Sequence, residues 1–470
     1  MSQPKHIILK RFGYLLSGHW VREIMQTAFL LYLARHATET YGQFMLAINI
    51  GQLLLFATEF GLNQHLATML ARKENFPTRI LGQVTLIKSL FLLLGWLAML
   101  GFIFWQDYSG RLRLIILIIA TPTALAGIGN SFYVACQVLG RQDVEGKTRA
   151  TGAMLGYGYG IISLLAGIPS TYVALFKSVE TFTNLSVVFR AFFSRIRKQM
   201  LLKDFHEIWL VWREGLVYTA MAVCAIFYNK INLFFLQNNA GAEGVAQYSA
   251  TWQIVDGISV LISSMLLGKV LFPLFAKYWA SNRKEFTRLA RQSAAWLVAV
   301  ALPVIYVLFV ESDRIIPLIY GNNYGQAIMA QKLLVGCILF AFIHNLASYL
   351  MVSMAKQRLL LAMYVAGLAF NLVACLWLTE YSPLANASLA ILLTKGVMAL
   401  MTVSFCQHAL KLFTPITLFK QGAAVAAAAA IHLVLSPILF REAVELLALL
   451  PLLLHAYRLY LRQRRAATGQ

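Results

Sequence analysis

Apolar stretches of about twenty residues recur along the whole chain, separated by short polar stretches rich in Lys and Arg. A helix of that length crosses the roughly 30 Å hydrocarbon core of a bilayer. The pattern predicts about fourteen spans, at roughly 12–34, 41–66, 80–105, 113–139, 150–169, 172–194, 213–236, 247–275, 292–311, 326–352, 359–379, 387–408, 422–440 and 443–458. The expected fold is an all-α polytopic membrane bundle with no room for a soluble domain. The longest polar stretch, Arg195 to Glu214, carries Phe205, Ile208, Trp209 and Trp212 at helical spacing, with Lys203, Asp204 and Glu207 elsewhere. It predicts an amphipathic helix lying at the cytoplasmic interface and joining two halves.

The expected organisation is an N-terminal six-helix lobe over 1–194, the linker helix over 195–212, a second six-helix lobe over 213–410, and two further helices with a basic tail over 411–470. The Ala-rich run from Ala423 to Ala430 reads as a closely packed helix. A weak repeat supports two related halves. Glu39-Thr-Tyr-Gly-Gln43-Phe44 can be laid on Glu243-Gly-Val-Ala-Gln247-Tyr248, and the same offset of 204 places Asn49 on Gln253 and Gln52 on Asp256. Repeats of this kind are common in transporters, with the substrate site between them.

Composition agrees with the membrane reading: 59% of residues are apolar and 13% charged. The formal net charge is nevertheless +21. Of the 40 Lys and Arg, 28 fall in alternate polar stretches that include both ends of the chain, and 5 fall in the others: Arg35, Arg111, Arg113, Arg314 and Arg441. This bias predicts that both termini are cytoplasmic. Basic residues scattered over many short loops do not form a nucleic-acid-binding stripe. The basic start precedes a stretch containing His19, Arg22 and Glu23, without a small-x-small cleavage site. The first segment is therefore expected to stay as a helix. The five cysteines sit in apolar segments without metal-ligand spacing and read as small buried hydrophobes.

The remaining 7 cations lie inside the apolar segments: Arg22, Lys88, Lys177, Lys230, Lys269, Lys332 and Lys395. Each costs roughly 2.5–3.5 kcal/mol at the centre of a span on insertion scales. Lys269 is close enough to a boundary to snorkel. The other six, with Asn49 and Gln52, are candidates for lining a cavity. Glu23, Glu59, Glu180 and Asp256 are candidates for coupling or charge pairing. Plainer readings stand beside these: an interhelical ion pair at Arg22, and an i, i+3 pair between Lys177 and Glu180. Adjacent Arg22 and Glu23 are not expected to face each other. Four acids against seven cations leave positive charge to spare, which predicts an anionic guest such as a phosphate or an acidic sugar.

Gly146-Lys147-Thr148 echoes the end of a phosphate-binding loop, but five residues separate Gly146 from Gly140 and no strand precedes it. No motif for metal-dependent or serine hydrolysis is present, and the outward loops are too short to build a catalytic site. A membrane glycan polymerase or ligase is therefore a weak alternative.

The chain resembles the Wzx-type polysaccharide flippases of the MOP superfamily, relatives of the MATE drug exporters. The resemblance rests on Leu33-Ala34-Arg35 followed by Glu39-Thr-Tyr-Gly-Gln43-Phe, on Gly244-Val-Ala-Gln-Tyr248-Ser-Ala, on Tyr320-Gly321-Asn-Asn-Tyr324, and on the spacing of spans. It implies two six-helix lobes forming a V around a central cavity, with two additional C-terminal helices. It implies ion-driven alternating access, powered by H+ or Na+ without a bound cofactor. The cargo would be a polyprenyl-diphosphate-linked oligosaccharide, moved to the outer leaflet of the inner membrane for surface polysaccharide assembly. A polymerase and export machinery would be partners. Related lipid II flippases carry cations on their first, second and eighth helices. Here only Arg22 matches, while Glu59 and Asp256 occupy the other two, which favours a glycan other than a peptidoglycan precursor. A MATE-like exporter of organic cations is the nearest alternative, though it would suit an acidic interior.

Overall fold

The computed structural model describes the backbone of residues 5–59, 62–63, 66, 78–139, 141–196, 205–378 and 382–468. Side chains are described over the same residues except 5–16, 78–79, 191–196, 205–216, 218, 264–265, 269 and 462–468. Helices dominate, and no strand occurs among the described residues. The chain divides into two compact units, 1–230 and 231–470.

The first unit contains α1 (Lys5–His36), α2 (Thr38–Glu59), α3 (Thr78–Trp105), α4 (Gly110–Val138), α5 (Gln142–Leu165), α6 (Phe176–Ile196) and α7 (Phe205–Lys230). Lys203 and Asp204 of the expected linker lie outside the described residues, as do the side chains of Phe205, Ile208, Trp209 and Trp212. From Phe205 the backbone already belongs to α7, which runs unbroken to Lys230 and packs on α2 in the first unit.

Among the described residues, ten helical runs are long and apolar enough to cross a membrane. One of them, Thr219–Ser281, covers two of the spans expected from the sequence. Three other expected spans, α1, α5 and α6, are helical but are not among those runs. Their polarity is concentrated on faces turned toward one another. A helix with such a face is stable in a bilayer only if protein covers it.

Small residues permit that cover. α5 lies between α1 and α6. Gly18 of α1 sits so close to the backbone of Gly146 that a Cβ there would approach its Cα to 2.7 Å. On the other side, a Cβ at Gly156 would come within 2.7 Å of both Glu180 Cβ and the Phe176 carbonyl oxygen. Gly152, Gly156 and Gly160 form a glycine-every-fourth-residue stripe, the pattern that lets membrane helices approach backbone to backbone. A parallel contact joins α2 to α4, where a Cβ at Gly51 would meet Ala120 Cα at 2.9 Å. Above these contacts Phe29, Phe44, Tyr157 and Phe176 close into an aromatic cluster, the nearest rings being Phe29 and Phe176 at 4.6 Å. A second apolar core gathers Leu81, Val84, Phe132, Tyr133, Cys136 and Val188. The cysteines are free; four are buried and Cys224 is half-buried.

The second unit contains α8 (Asn232–Leu261), α9 (Phe272–Ser281), α10 (Arg283–Val310), α11 (Ser312–Tyr320), α12 (Gly325–Leu334), α13 (Gly336–Ser353), α14 (Gln357–Leu378), α15 (Pro383–Leu410), α16 (Pro415–Leu435) and α17 (Arg441–Thr468). α8 is sharply kinked at Gly241, whose φ of +64° is a conformation that glycine adopts readily. Wide π-type turns over Ile262–Leu271 connect α8 to α9. Gln247 explains its place in the repeat. Its Nε2 donates to the Asn323 carbonyl at 2.8 Å and its Oε1 accepts from the Ala327 amide at 3.0 Å, fixing the turn at Gly321. The matching Gln43 is equally buried but donates to Glu39 Oε1 on its own helix, at 3.0 Å.

The last two helices form a hairpin laid on α10. Gln421 donates to the Ala295 carbonyl at 3.1 Å, and Tyr306 Oη meets His432 Nδ1 at 3.0 Å. At the far end Arg441 binds Asp313 at 2.6 and 2.7 Å, Glu445 at 2.6 Å and the Val310 carbonyl at 2.8 Å. The guanidinium holds the Asp313 carboxyl down to about 2.

The glycine contacts generate a stability prediction. Gly156→Leu must push α5 from α6 and should cost about 1–3 kcal/mol, read as a lower melting midpoint of the purified protein in detergent. Gly158→Leu, which meets nothing within 4 Å, should leave the midpoint nearly unchanged. Equal effects would contradict the packing described.

Candidate functional site

The three polar helices, with α2 and α4, enclose a cavity of about 400 Å³ inside the first unit. Its wall carries Arg22, Gln26, Gln52, Asn130, Tyr133, Arg149, Lys177, Glu180 and Asn184, against an apolar side of Leu30, Ile48, Leu55 and Phe56. Phe176 and Tyr157 of the aromatic cluster also line it.

Glu180 is the centre of the charges. Its side chain is 3% exposed. One carboxylate oxygen accepts from Arg22 Nε at 2.9 Å, and the other accepts from Lys177 Nζ at 2.6 Å. The lysine contact spans one helical turn of α6, as its i, i+3 spacing requires. The arginine contact ties α1 to α6 across the close packing with α5. Arg22 also reaches Glu23, Nη1 to Oε1 at 3.3 Å, contrary to the expectation that adjacent residues do not meet. The long guanidinium arm bends back far enough to bridge both acids.

Arg149 supplies a third cation. Its Nε donates to Glu145 Oε1 at 3.0 Å and its Nη2 reaches Asn130 Oδ1 at 3.4 Å. The guanidinium lies over the Tyr133 ring, 4.2 Å from its centroid. Asn130 in turn donates to Glu59 Oε1 at 2.6 Å. Tyr157 Oη donates to Gln26 Oε1 at 3.1 Å. Two polar atoms of wall residues, Tyr133 Oη and Asn184 Oδ1, are buried without a hydrogen-bond partner among the described residues.

The structure thus brings Arg22, Gln52, Lys177 and Glu180 to one cavity wall, with Glu23 and Glu59 directly behind it. Asn49 and Lys88 belong to the same unit but are not on the wall. Asn49 is buried and donates to the Met45 carbonyl at 2.6 Å. Lys88 is fully buried, donating to the Gly127 carbonyl at 2.8 Å and to Asn63 Oδ1. Here an interior lysine is satisfied by a carbonyl and an amide. Lys230 is half-buried at the end of α7. The expectation of several unpaired cations also changes in form: each charged cation on the wall has a carboxylate within reach.

The remaining sequence candidates lie in the second unit. Lys395 is buried with its ammonium 5.6 Å from the Trp252 ring centroid, Lys332 stands 5.9 Å from that of Phe309, and Asp256 is half-buried on α8. The side chain of Lys269 lies outside the described residues. No group of three or more His, Cys, Asp or Glu among the described residues could hold a metal ion.

Sequence reasoning missed Arg149, Asn130 and Tyr133. The fifth span was expected to start at 150, which left Arg149 in a loop. In fact α5 starts at Gln142, about two turns earlier. The available signal was Glu145 and Arg149 at i, i+4, a spacing that marks a paired helical face.

Comparison with known proteins agrees with this architecture. A structure described as lipid II flippase MurJ in an inward closed conformation superposes with a TM-score of 0.73 at 12% identity, covering 97% of this chain and 100% of that one. An inward-facing multidrug resistance MATE family transporter of the MOP superfamily superposes with a TM-score of 0.62 at 13% identity, covering 83% and 94%. At such identities the likeness establishes the fold. In sequence, a Shigella flexneri protein named "Putative O-antigen transporter" is 20% identical over 173 residues, 34% of this chain and 40% of that protein. The family model described as polysaccharide biosynthesis protein matches residues 8–279, which contain the whole cavity. That match covers more than half of the chain, and this multi-pass membrane protein belongs to the polysaccharide biosynthesis protein family.

Proposed function

We propose that the chain is a flippase for a polyprenyl-diphosphate-linked oligosaccharide used in surface polysaccharide assembly. It would carry the headgroup from the cytoplasmic to the outer leaflet of the inner membrane while the lipid tail stays in the bilayer. The observation that carries this reading is the meeting of Arg22, Lys177 and Arg149, from three helices, on the wall of one cavity within a membrane bundle. Buried cations are costly in a bilayer and mark an anionic guest or its path. A diphosphate offers the multiple acceptor oxygens that guanidinium groups bind best. The amides of Gln52, Asn130 and Asn184 and the Tyr133 hydroxyl suit sugar hydroxyls.

Alternating access coupled to H+ or Na+, cytoplasmic termini, and delivery to a polymerase and export machinery complete the proposal. Glu59, Glu180 and Asp256 are the acids to which coupling is assigned. Export of an organic cation is the second reading, supported by the fold shared with a multidrug transporter. The wall argues against it, because Glu180, the carboxylate there, is already held by Arg22 and Lys177.

Depletion of the protein in its host tests the reading. The cytoplasmic-leaflet pool of lipid-linked oligosaccharide should rise, measured by mass spectrometry with a leaflet-selective probe, while surface glycan falls. An unchanged pool, in a host without a second flippase, would sink it. In complementation, Arg22→Ala and Arg149→Ala should each cut surface glycan at least tenfold with normal membrane insertion. Asp256→Ala should do the same, whereas Arg288→Ala, an exposed i, i+3 partner of Glu285, should not.

Stability gives an independent check on the wall. Glu180→Gln leaves Arg22 and Lys177 without their shared carboxylate and should cost about 3–5 kcal/mol. Adding Lys177→Met should restore part of the melting midpoint. A double variant less stable than Glu180→Gln alone would refute the shared-carboxylate arrangement.

A further inference from the structure

The C-terminal hairpin holds a basic pocket that the transport reading does not use. α16 and α17 pack along Ala424, Ala428 and Leu452 against Leu302 and Tyr306 of α10. Toward the end that carries Lys420 and Arg458 a wedge of about 470 Å³ opens between them. Pro451 lines it from within α17, where proline removes a helical hydrogen bond and bends the axis. Ala423, facing it from α16, is too small to fill the gap.

The wedge has two chemistries. Its wall is apolar where Phe419 and Leu454 contribute, and basic where Lys420, His455 and Arg458 do. Among the described residues no carboxylate pairs with Lys420 or Arg458. This contrasts with the other end of the hairpin, where Arg314 and Arg441 are both paired with acids. Phe419 is 77% and Tyr457 58% exposed, an outward aromatic character typical of helix ends at headgroup depth. The following sequence adds Arg462, Arg464 and Arg465. An apolar slot ending in two cations complements an acyl chain ending in a phosphate.

We propose that this wedge binds an anionic phospholipid, its phosphate between Lys420 and Arg458 and an acyl chain against Phe419 and Leu454. A free anion would leave the apolar wall uncovered. A zwitterionic headgroup would bring its own cation to two cations that have no acid among the described residues. The site is separate from the cavity of the first unit, so the proposal stands whether or not that cavity carries a glycan.

Native mass spectrometry of the full-length protein in detergent tests it, with dioleoyl phosphatidylglycerol and dioleoyl phosphatidylcholine as probes. The unaltered protein should retain one phosphatidylglycerol in preference to phosphatidylcholine. Lys420→Ala with Arg458→Ala should weaken that binding roughly 30-fold, at the contribution expected of two basic residues at a membrane surface. Lys420→Arg with Arg458→Lys should keep it. Lys284→Ala with Arg288→Ala removes the same number of cations from an exposed helix start and should also keep it. Equal retention of the two lipids overturns the proposal, as does equal loss in the two alanine pairs. Displacement of the lipid by inorganic phosphate at matched concentration overturns it in favour of a free-anion site. Retention of undecaprenyl diphosphate but not phosphatidylglycerol overturns it in favour of a substrate-docking site.

Discussion

Everything in the first unit depends on one electrostatic requirement. A charge held away from water must be met by the protein itself. Glu180, almost fully enclosed, meets two at once: Lys177 on its own helix and Arg22 on α1. The bond from Arg22 could not form if α1 and α6 stood at the usual helix separation on either side of α5. The glycines at 18, 146, 152 and 156 remove the side chains that would hold them apart. Backbone packing and charge pairing are therefore one design, with the small residues setting the distance and the ions setting the register.

The same requirement explains why polar and apolar helices are distributed unevenly. α3, α4 and α14 are apolar enough to meet lipid directly, and large side chains such as Leu93, Leu114 and Trp377 are exposed on them. α1, α5 and α6 could not meet lipid on every side. Their polar faces converge, and the space left between them becomes a cavity instead of a packed core. The aromatic cluster around Phe29 and Phe176 bounds that space with rings, which fill volume without adding unpaired polar atoms.

Helicity, the recurrence of spans and the internal pairing of Lys177 with Glu180 could be read from the chain because each is a local property. A run of apolar residues or an i, i+3 spacing needs no knowledge of neighbours. Partners across helices could not be read in this way. Nothing local says that Arg22 meets Glu180, 158 positions away, or that Lys88 is satisfied by a carbonyl of α4. Arg149 was lost to a boundary. Hydropathy marks where a helix enters the apolar layer, not where it starts, and the polar first turns of α5 are invisible to it. Gln247 was visible as half of a repeat, but its role, bonding both sides of the turn at Asn323 and Ala327, exists only in three dimensions.

The carboxylate between Arg22 and Lys177 has a consequence for any anion that enters the cavity. Glu180 is itself an anion, occupying the cations by permanent attachment to α6. Being attached, it competes without the loss of translational freedom that a freely diffusing monoanion incurs on binding. A single carboxylate or chloride would exchange like for like and gain nothing. On the proposed reading, a ligand with several acceptor oxygens would engage Arg149 as well as the pair before the internal competitor lets go. The tethered acid keeps the empty cavity neutralised, and on the proposed reading it would set a threshold that favours multivalent guests.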